Sequence, residues 1–324
     1  MLFAVMSRLL VWGWAYMTSM PGHSHRGPLP PMTAGQEELA VELRRDVEQL
    51  ATRIGERHVL RHSAYVEAAD FIESSLTDAG YTVNRQPFEV NSRTCVNLEV
   101  ELTGRDQAAH IVIIGAHYDT VAGSSGANDN ATGVAGLLAL ARRFADRPPQ
   151  RTLRFVAFAN EEPPFFQTPR MGSWVYSRRC RDRKERIDAM ISFDGLGFYS
   201  DEADSQQYPR PFSLVYPKQG NFIGVAGNLE SRPLVRRVVA VFRAHAAFPS
   251  EGAALPGWIE GVGWSDHWSF WQHGVPAVMV SDTLPFRYAH YHEHSDTLDK
   301  LDFSRMARVV AGFEAVTADL AGLE

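Results

Sequence analysis

Apolar positions recur along the chain in two rhythms, one helical and one extended. Leu39, Leu43, Val47, Leu50 and Ile54 follow one another at steps of 4, 4, 3 and 4 before Gly55, behind the T-A-G-Q capping box that Thr33 opens. That spacing predicts an amphipathic helix. A second helical stretch runs over 64–79 and stops at Gly80. Period-two alternation takes over in segments 81–90 and 94–102, where Val96, Leu98, Val100 and Leu102 share one face, and predicts antiparallel strands. Segments 111–114 (IVII) and 153–158 (LRFVAF) are nearly continuous apolar runs with a helical segment, 132–144, between them. Runs of that kind suit parallel strands buried on both faces and joined by a crossover helix. Further strands are expected over 187–193, 212–216 and 277–280, and further helices over 234–247 and 303–323. The whole predicts an α/β fold, a three-layer sandwich with a central mixed, mostly parallel sheet flanked by helices, built as a single domain over 35–324.

The first 34 residues read differently. Residues 1–17 are apolar except for Ser7 and Arg8, and the stretch TSMPGHSHRGPLPPM behind them is polar and proline-rich, so the segment reads as a leader or membrane anchor joined to a linker. The apolar run Leu9–Met17 has signal-peptide length but lacks an A-x-A cleavage site. A full span needs ~20 apolar residues, and an arginine near the middle costs ~2.5 to 3.5 kcal/mol by insertion scales. The expectation is export to an envelope compartment with possible membrane attachment; a helix buried in the folded domain is the competing reading.

Composition narrows the partners. With 32 basic and 38 acidic residues the formal charge is −6, and no broad basic face for a nucleic-acid backbone is expected. Two distant cysteines, Cys95 and Cys180, exclude a zinc ribbon and a disulfide scaffold and read as two free buried thiols, with one disulfide between them as the alternative.

In open α/β sheets ligands bind beyond the carboxyl ends of the strands. Here those ends collect metal-ligand residue types. His117 and Asp119 follow the 111–114 run, Asp129 stands before the crossover helix, and Glu161 and Glu162 follow the 153–158 run. Asp194 follows 187–193, and a histidine-rich loop with His290, His292, His294 and Asp296 lies beyond 277–280. Singly, each has a plain structural explanation, Asp129 as a helix cap among them. Together they would meet on one rim, and imidazoles and carboxylates without thiolate suit a pair of divalent ions, Zn²⁺ before Co²⁺ or Mn²⁺.

The segments GAHYDT, GANDNATG, NEE, SFDGLG, SDHWSFWQHGVPAV and HYHEHSDTLDKL, in this order, resemble the co-catalytic di-zinc aminopeptidases of the bacterial leucyl aminopeptidase type over roughly residues 60–320. The resemblance implies that His117 and Asp194 hold one zinc, that Glu162 and His292 hold the other, and that Asp129 bridges them. It also implies Glu161 as general base, Asp119 as the carboxylate orienting His117, Tyr291 as a hydroxyl polarising the substrate carbonyl, and a peptide with a free N-terminus as substrate. His292 is preferred because the family's ligand stands four residues before the Asp-Thr pair, here Asp296-Thr297; His290 and His294 stay open as alternatives. Asp266 and His267 match a pair that sits near the site without binding metal. Residue chemistry agrees: His117 and Asp119, two apart on a strand, share a face, and of two neighbouring glutamates one can bind while the other moves a proton.

The chain departs from the family form after Glu162, where 163–171 (PPFFQTPRM) intervenes before Gly172-Ser173. Phe165 and Phe166 either line the pocket or pack, and the same choice applies to Trp258, Trp264, Trp268 and Trp271. Two other functions remain on this reading, a one-zinc glutaminyl cyclase of similar fold and a non-catalytic binding domain.

Overall fold

The computed structural model describes residues 12–323. Residues 1–11, which carry most of the apolar leader, lie outside the described residues. Residues 12–18 are helical, and the stretch behind them runs along the body, with Met20, Leu29 and Met32 packed against the core. Among the described residues no helix is long and apolar enough to cross a membrane.

An eight-stranded sheet in the order β1-β2-β4-β3-β5-β8-β6-β7 runs through the molecule. Its strands are β1 (Asn84–Val90), β2 (Arg93–Leu102), β3 (Gln107–His117), β4 (Arg151–Phe158), β5 (Arg186–Phe193), β6 (Ile223–Gly227), β7 (Ser250–Ala254) and β8 (Ala277–Ser281). The four central strands β4, β3, β5 and β8 are mutually parallel, while β1 and β2 extend one side in antiparallel fashion. β6 is antiparallel to β8 and parallel to β7. The expected mixed, mostly parallel sheet is present. Its central strands are buried almost throughout, which is why they carry unbroken apolar runs.

One face of the sheet is covered by helices Ala34–Val47, Gly133–Phe144, Arg232–His245 and Phe303–Ala321, whose apolar sides join the main core. Helices Gly172–Asp182 and His267–Trp271 cover the other face, where Ile113, Phe158, Tyr176 and Phe270 pack. The capping box at Thr33 is formed in both directions. Cys95 and Cys180 are free and buried.

Four elements differ from expectation. The segment 212–216 is a 3-10 turn, Phe212–Leu214, and not a strand, because Pro209, Pro211 and Pro217 surround it and deny the backbone a ladder. Strands β6 and β7 were not expected; Ile-Gly-Val-Ala-Gly and Ser-Glu-Gly-Ala-Ala are too short and too small in side chain to announce themselves. The helix Gly172–Asp182 was also missed, since only four of its residues besides glycine are buried.

Candidate metal centre

Because the four central strands run parallel, their carboxyl ends share one rim. His117 ends β3. Glu161 and Glu162 stand just past β4, Asp194 directly follows β5, and the loop beyond β8 returns Tyr291 and His292 to the same place. The amide of Asp194 donates to the Val280 carbonyl at 3.0 Å, and that of Tyr118 to the Phe158 carbonyl at 2.9 Å, so the strand ends are tied to each other.

The side chains converge in three overlapping groups, one of which joins His117 to Glu161 and Glu162. His117 Nε2 lies 3.4 Å from Asp129 Oδ1 and 3.6 Å from Asp194 Oδ1. His292 Nε2 lies 3.2 Å from Asp129 Oδ2 and 3.1 Å from Glu162 Oε2. Asp129 thus offers one oxygen to each imidazole. The ligand atoms of His117, Asp129 and Asp194 fall within 4.8 Å of one another, and so do those of Asp129, Glu162 and His292. Despite these distances His117 Nδ1 and Nε2, His292 Nε2, Glu162 Oε1 and Asp194 Oδ1 have no hydrogen-bond partner. Buried polar atoms are costly when unpaired. Lone pairs aimed at shared points, among carboxylates that outnumber imidazoles, fit cations.

Glu161 lies at the edge of this arrangement, its Oε2 4.0 Å from His117 Nε2. Burial pushes its carboxyl well above the usual range, and the charges of Glu162, Asp194 and Asp266 add to that against the pull of His117. Burial likewise pushes Glu162 up to about 7. Burial would raise Asp129 too, but the two imidazoles outweigh it and hold its carboxyl well below the usual carboxylate range. Burial, with Asp129 and Glu162 adding to it, raises the Tyr291 hydroxyl, so that group remains a neutral donor. Its ring stacks on His292 with centroids 3.8 Å apart.

Asp119 accepts hydrogen bonds from the amides of Glu161 at 3.0 Å and Glu162 at 3.1 Å, while its Oδ1 stands 3.5 Å from His117 Nδ1. Its firm bonds therefore hold the two glutamates, and its approach to His117 is longer than a hydrogen bond. Asp129 is not the cap of the crossover helix: Asn130 Oδ1 accepts from Gly133 N at 3.0 Å, which leaves the Asp129 carboxylate to the site. Of the three histidines in this loop, only His292 enters the site. His290 Nδ1 pairs with Ser295 at 2.8 Å, and His294 is exposed.

Several residues that support the site had no role assigned to them from the sequence. Asp296 accepts from the amides of Asn128 at 2.8 Å and Asp129 at 3.1 Å and from the Tyr288 hydroxyl at 2.7 Å. Asn128 accepts from Gly197 N at 2.9 Å and donates to Asp282 at 2.9 Å, which joins the Asp129 loop to the segments after β5 and β8. Arg57, fully buried, donates to the carbonyls of Tyr118 at 2.6 Å, Ser125 at 2.7 Å and Gly126 at 3.0 Å. Gly126 has φ +58°, and a Cβ there would meet Asp129 O and Thr120 at 2.4 Å, so only glycine fits beside this clamp. Burial lowers Arg57 to about 10, still charged at neutral pH, opposite Asp296 and Asp119. Arg57→Met leaves those carbonyls and charges unpaired, and is expected to lower unfolding stability by roughly 3–5 kcal/mol in urea denaturation. Nothing local in the sequence signals these roles, because each partner is reached through the fold.

Asp266 and His267 are fully buried beside the site. Burial holds Asp266 up to about 7 and His267 down to about 4, and His267 Nε2 donates to the Val262 carbonyl at 2.8 Å. Phe165 packs into the main core rather than lining the site. The tryptophans divide: Trp258 is 84% exposed, Trp174 and Trp268 pack together, and Trp264 lines an apolar cavity of ≈ 140 Å³ beside Tyr291.

Residues 97–317 match the model of peptidase family M28. The protein YfbL of Escherichia coli, described as uncharacterized, is 35% identical over 254 residues, covering 76% of this chain and 77% of its own. Of several other curated relatives the chain spans only about half, 45%, 53% and 51% of their length. A zinc aminopeptidase from Bacillus subtilis superposes with a TM-score of 0.69 at 16% identity, covering 86% of this chain and 94% of that one. The glutaminyl cyclase of Fimbriiglobus ruber does so at 0.63 and 20% identity, covering 92% and 98%. These two likenesses concern the fold; the family match and the E. coli relative go further, and by them the chain belongs to peptidase family M28.

Proposed function

We propose that the chain is a zinc aminopeptidase, in which His117 and Asp194 hold one cation, Glu162 and His292 hold a second, and Asp129 bridges them. The observation that carries this reading is the sharing of Asp129 between two ligand groups, one carboxylate oxygen turned to each imidazole. Zinc, when bound there, supplies Lewis acidity and lowers the pKa of water toward ~7. The chain's own residues do the rest. Glu161, which burial makes a better base than an ordinary carboxylate, takes a proton from the attacking water and returns it to the leaving nitrogen. The Tyr291 hydroxyl, kept neutral, donates toward the oxygen on which charge develops.

The free amine of the substrate is attracted by Asp129, Glu162 and Asp194, and this restricts cleavage to chain ends. Its first side chain enters the apolar cavity, lined by Phe212, Phe222, Leu255, Val262, Met279 and Phe286 with Tyr291 at its edge. Leucyl and phenylalanyl p-nitroanilides are expected to be cleaved at least tenfold more efficiently than aspartyl or lysyl ones, with no cleavage of N-acetylated forms. Activity on blocked substrates alone would overturn the reading.

A second reading, a glutaminyl cyclase holding one zinc, has the support of the fold likeness. Its marker is an N-terminal glutaminyl residue converted to pyroglutamyl on the intact peptide, with ammonia released and no peptide bond broken, and a single zinc per chain.

A further inference from the structure

The apolar cavity has a wall whose outer side is made by a distant part of the chain. Phe212, Leu255, Val262, Tyr208, Tyr216 and Ile259 all line the cavity, and the same six residues form a small apolar cluster together with Trp14 and Met17, which do not line it. The indole of Trp14 stacks on Phe212, centroids 5.1 Å apart and planes within 19°. Phe212, itself buried, sits on a single 3-10 turn with no strand pairing, followed by Leu214 and Val215, 83% and 47% exposed.

The segment is tied down along its length. On helix Arg232–His245, three arginines donate to successive carbonyls: Arg232 to Tyr16 at 2.6 Å, Arg236 to Ser19 at 2.5 Å and Arg243 to Pro21 at 3.0 Å. Their spacing of four and then seven residues keeps them on one face. The Arg232 guanidinium also lies over the Tyr16 ring at 3.9 Å. Farther on, Ser24 Oγ accepts from Ser250 N at 2.9 Å, and Gly252 of β7 leaves room for Met20, whose Cγ would stand 2.9 Å from any Cβ there.

We infer that residues 12–21 form a built-in outer wall of the substrate cavity and thereby set which first side chains the enzyme accepts. The inference rests on the aminopeptidase reading of that cavity, and deepens it. The wall works through position: Trp14 and Met17 hold Phe212 inward, and the arginine track holds Trp14 and Met17. Loosening it lets Phe212 yield, so bulky side chains gain relative to medium ones.

The test uses the full zinc-loaded chain in two variants, Trp14→Ala and Arg232→Ala/Arg236→Ala, the second releasing the segment without touching the cavity cluster. In both, kcat/KM for tryptophyl over leucyl p-nitroanilide is expected to rise at least fivefold, mainly through KM, with alanyl turnover within twofold and zinc content unchanged. Calorimetric affinity for indole, which needs neither metal nor chemistry, is expected to shift at least threefold. Selectivity and indole affinity within twofold of the parent in both variants, while Phe212→Ala shifts them, would overturn the wall. A parent chain that cleaves no aminoacyl substrate, yet whose indole affinity moves with Trp14→Ala, would sink the aminopeptidase reading and leave the wall standing.

Discussion

Glu161→Gln is expected to lower kcat by about 10²- to 10⁴-fold, the range a positioned general base supplies, while the zinc content stays that of the parent. The amide keeps the size and the hydrogen-bonding reach of the acid but can no longer hold a proton in transit. Retained metal is the discriminating half of the outcome. Glu161 stands at the rim of the cluster, 4.0 Å from His117 Nε2, whereas Glu162 is within 3.1 Å of His292. The corresponding Glu162→Gln change is therefore expected to weaken metal binding, so the neighbouring glutamates separate by what is lost. Near-normal turnover in Glu161→Gln would remove it from the mechanism.

Asp129→Ala is expected to have the larger effect on the folded protein. It takes one oxygen from each of the two ligand groups at once, so both sites weaken together. At a free zinc concentration of about 10³ times Kd each bound ion contributes about 4 kcal/mol of stability. Losing that, and leaving Glu162 and Asp194 buried without a cation, is expected to lower Tm by about 5–10 °C. Chelator treatment should bring the parent chain down to a similar Tm and change the variant little. A variant that keeps the parent's zinc content and Tm would mean that the carboxylate does not bridge.

Much of this was visible in the sequence for a definite physical reason. A central parallel strand is buried on both faces, so 111–114 and 153–158 stand out as unbroken apolar runs, and the residue that follows each run must lie at the sheet's rim. That logic reached His117, Glu161, Glu162 and Asp194 together, and the family motifs reached Asp129, Tyr291 and His292. It failed where strands carry little side chain, as in β6 and β7, and where a short apolar stretch, 212–216, is flanked by prolines. It also could not assign roles to Arg57, Asp296 or Asn128. Their partners lie 61, 168 and 154 residues away in the chain, and only the closed fold makes their hydrogen bonds. The N-terminal segment teaches the same lesson from the other side. Trp14 and Met17 pack against the cluster that walls the cavity, and a run of apolar residues alone cannot say what it covers.

The most direct test of the central claim is the number of zinc ions bound per chain, counted by elemental analysis after dialysis against buffered zinc. The account predicts two for the parent chain and two for Glu161→Gln. A single ion in the parent, unchanged in Asp129→Ala, would contradict it.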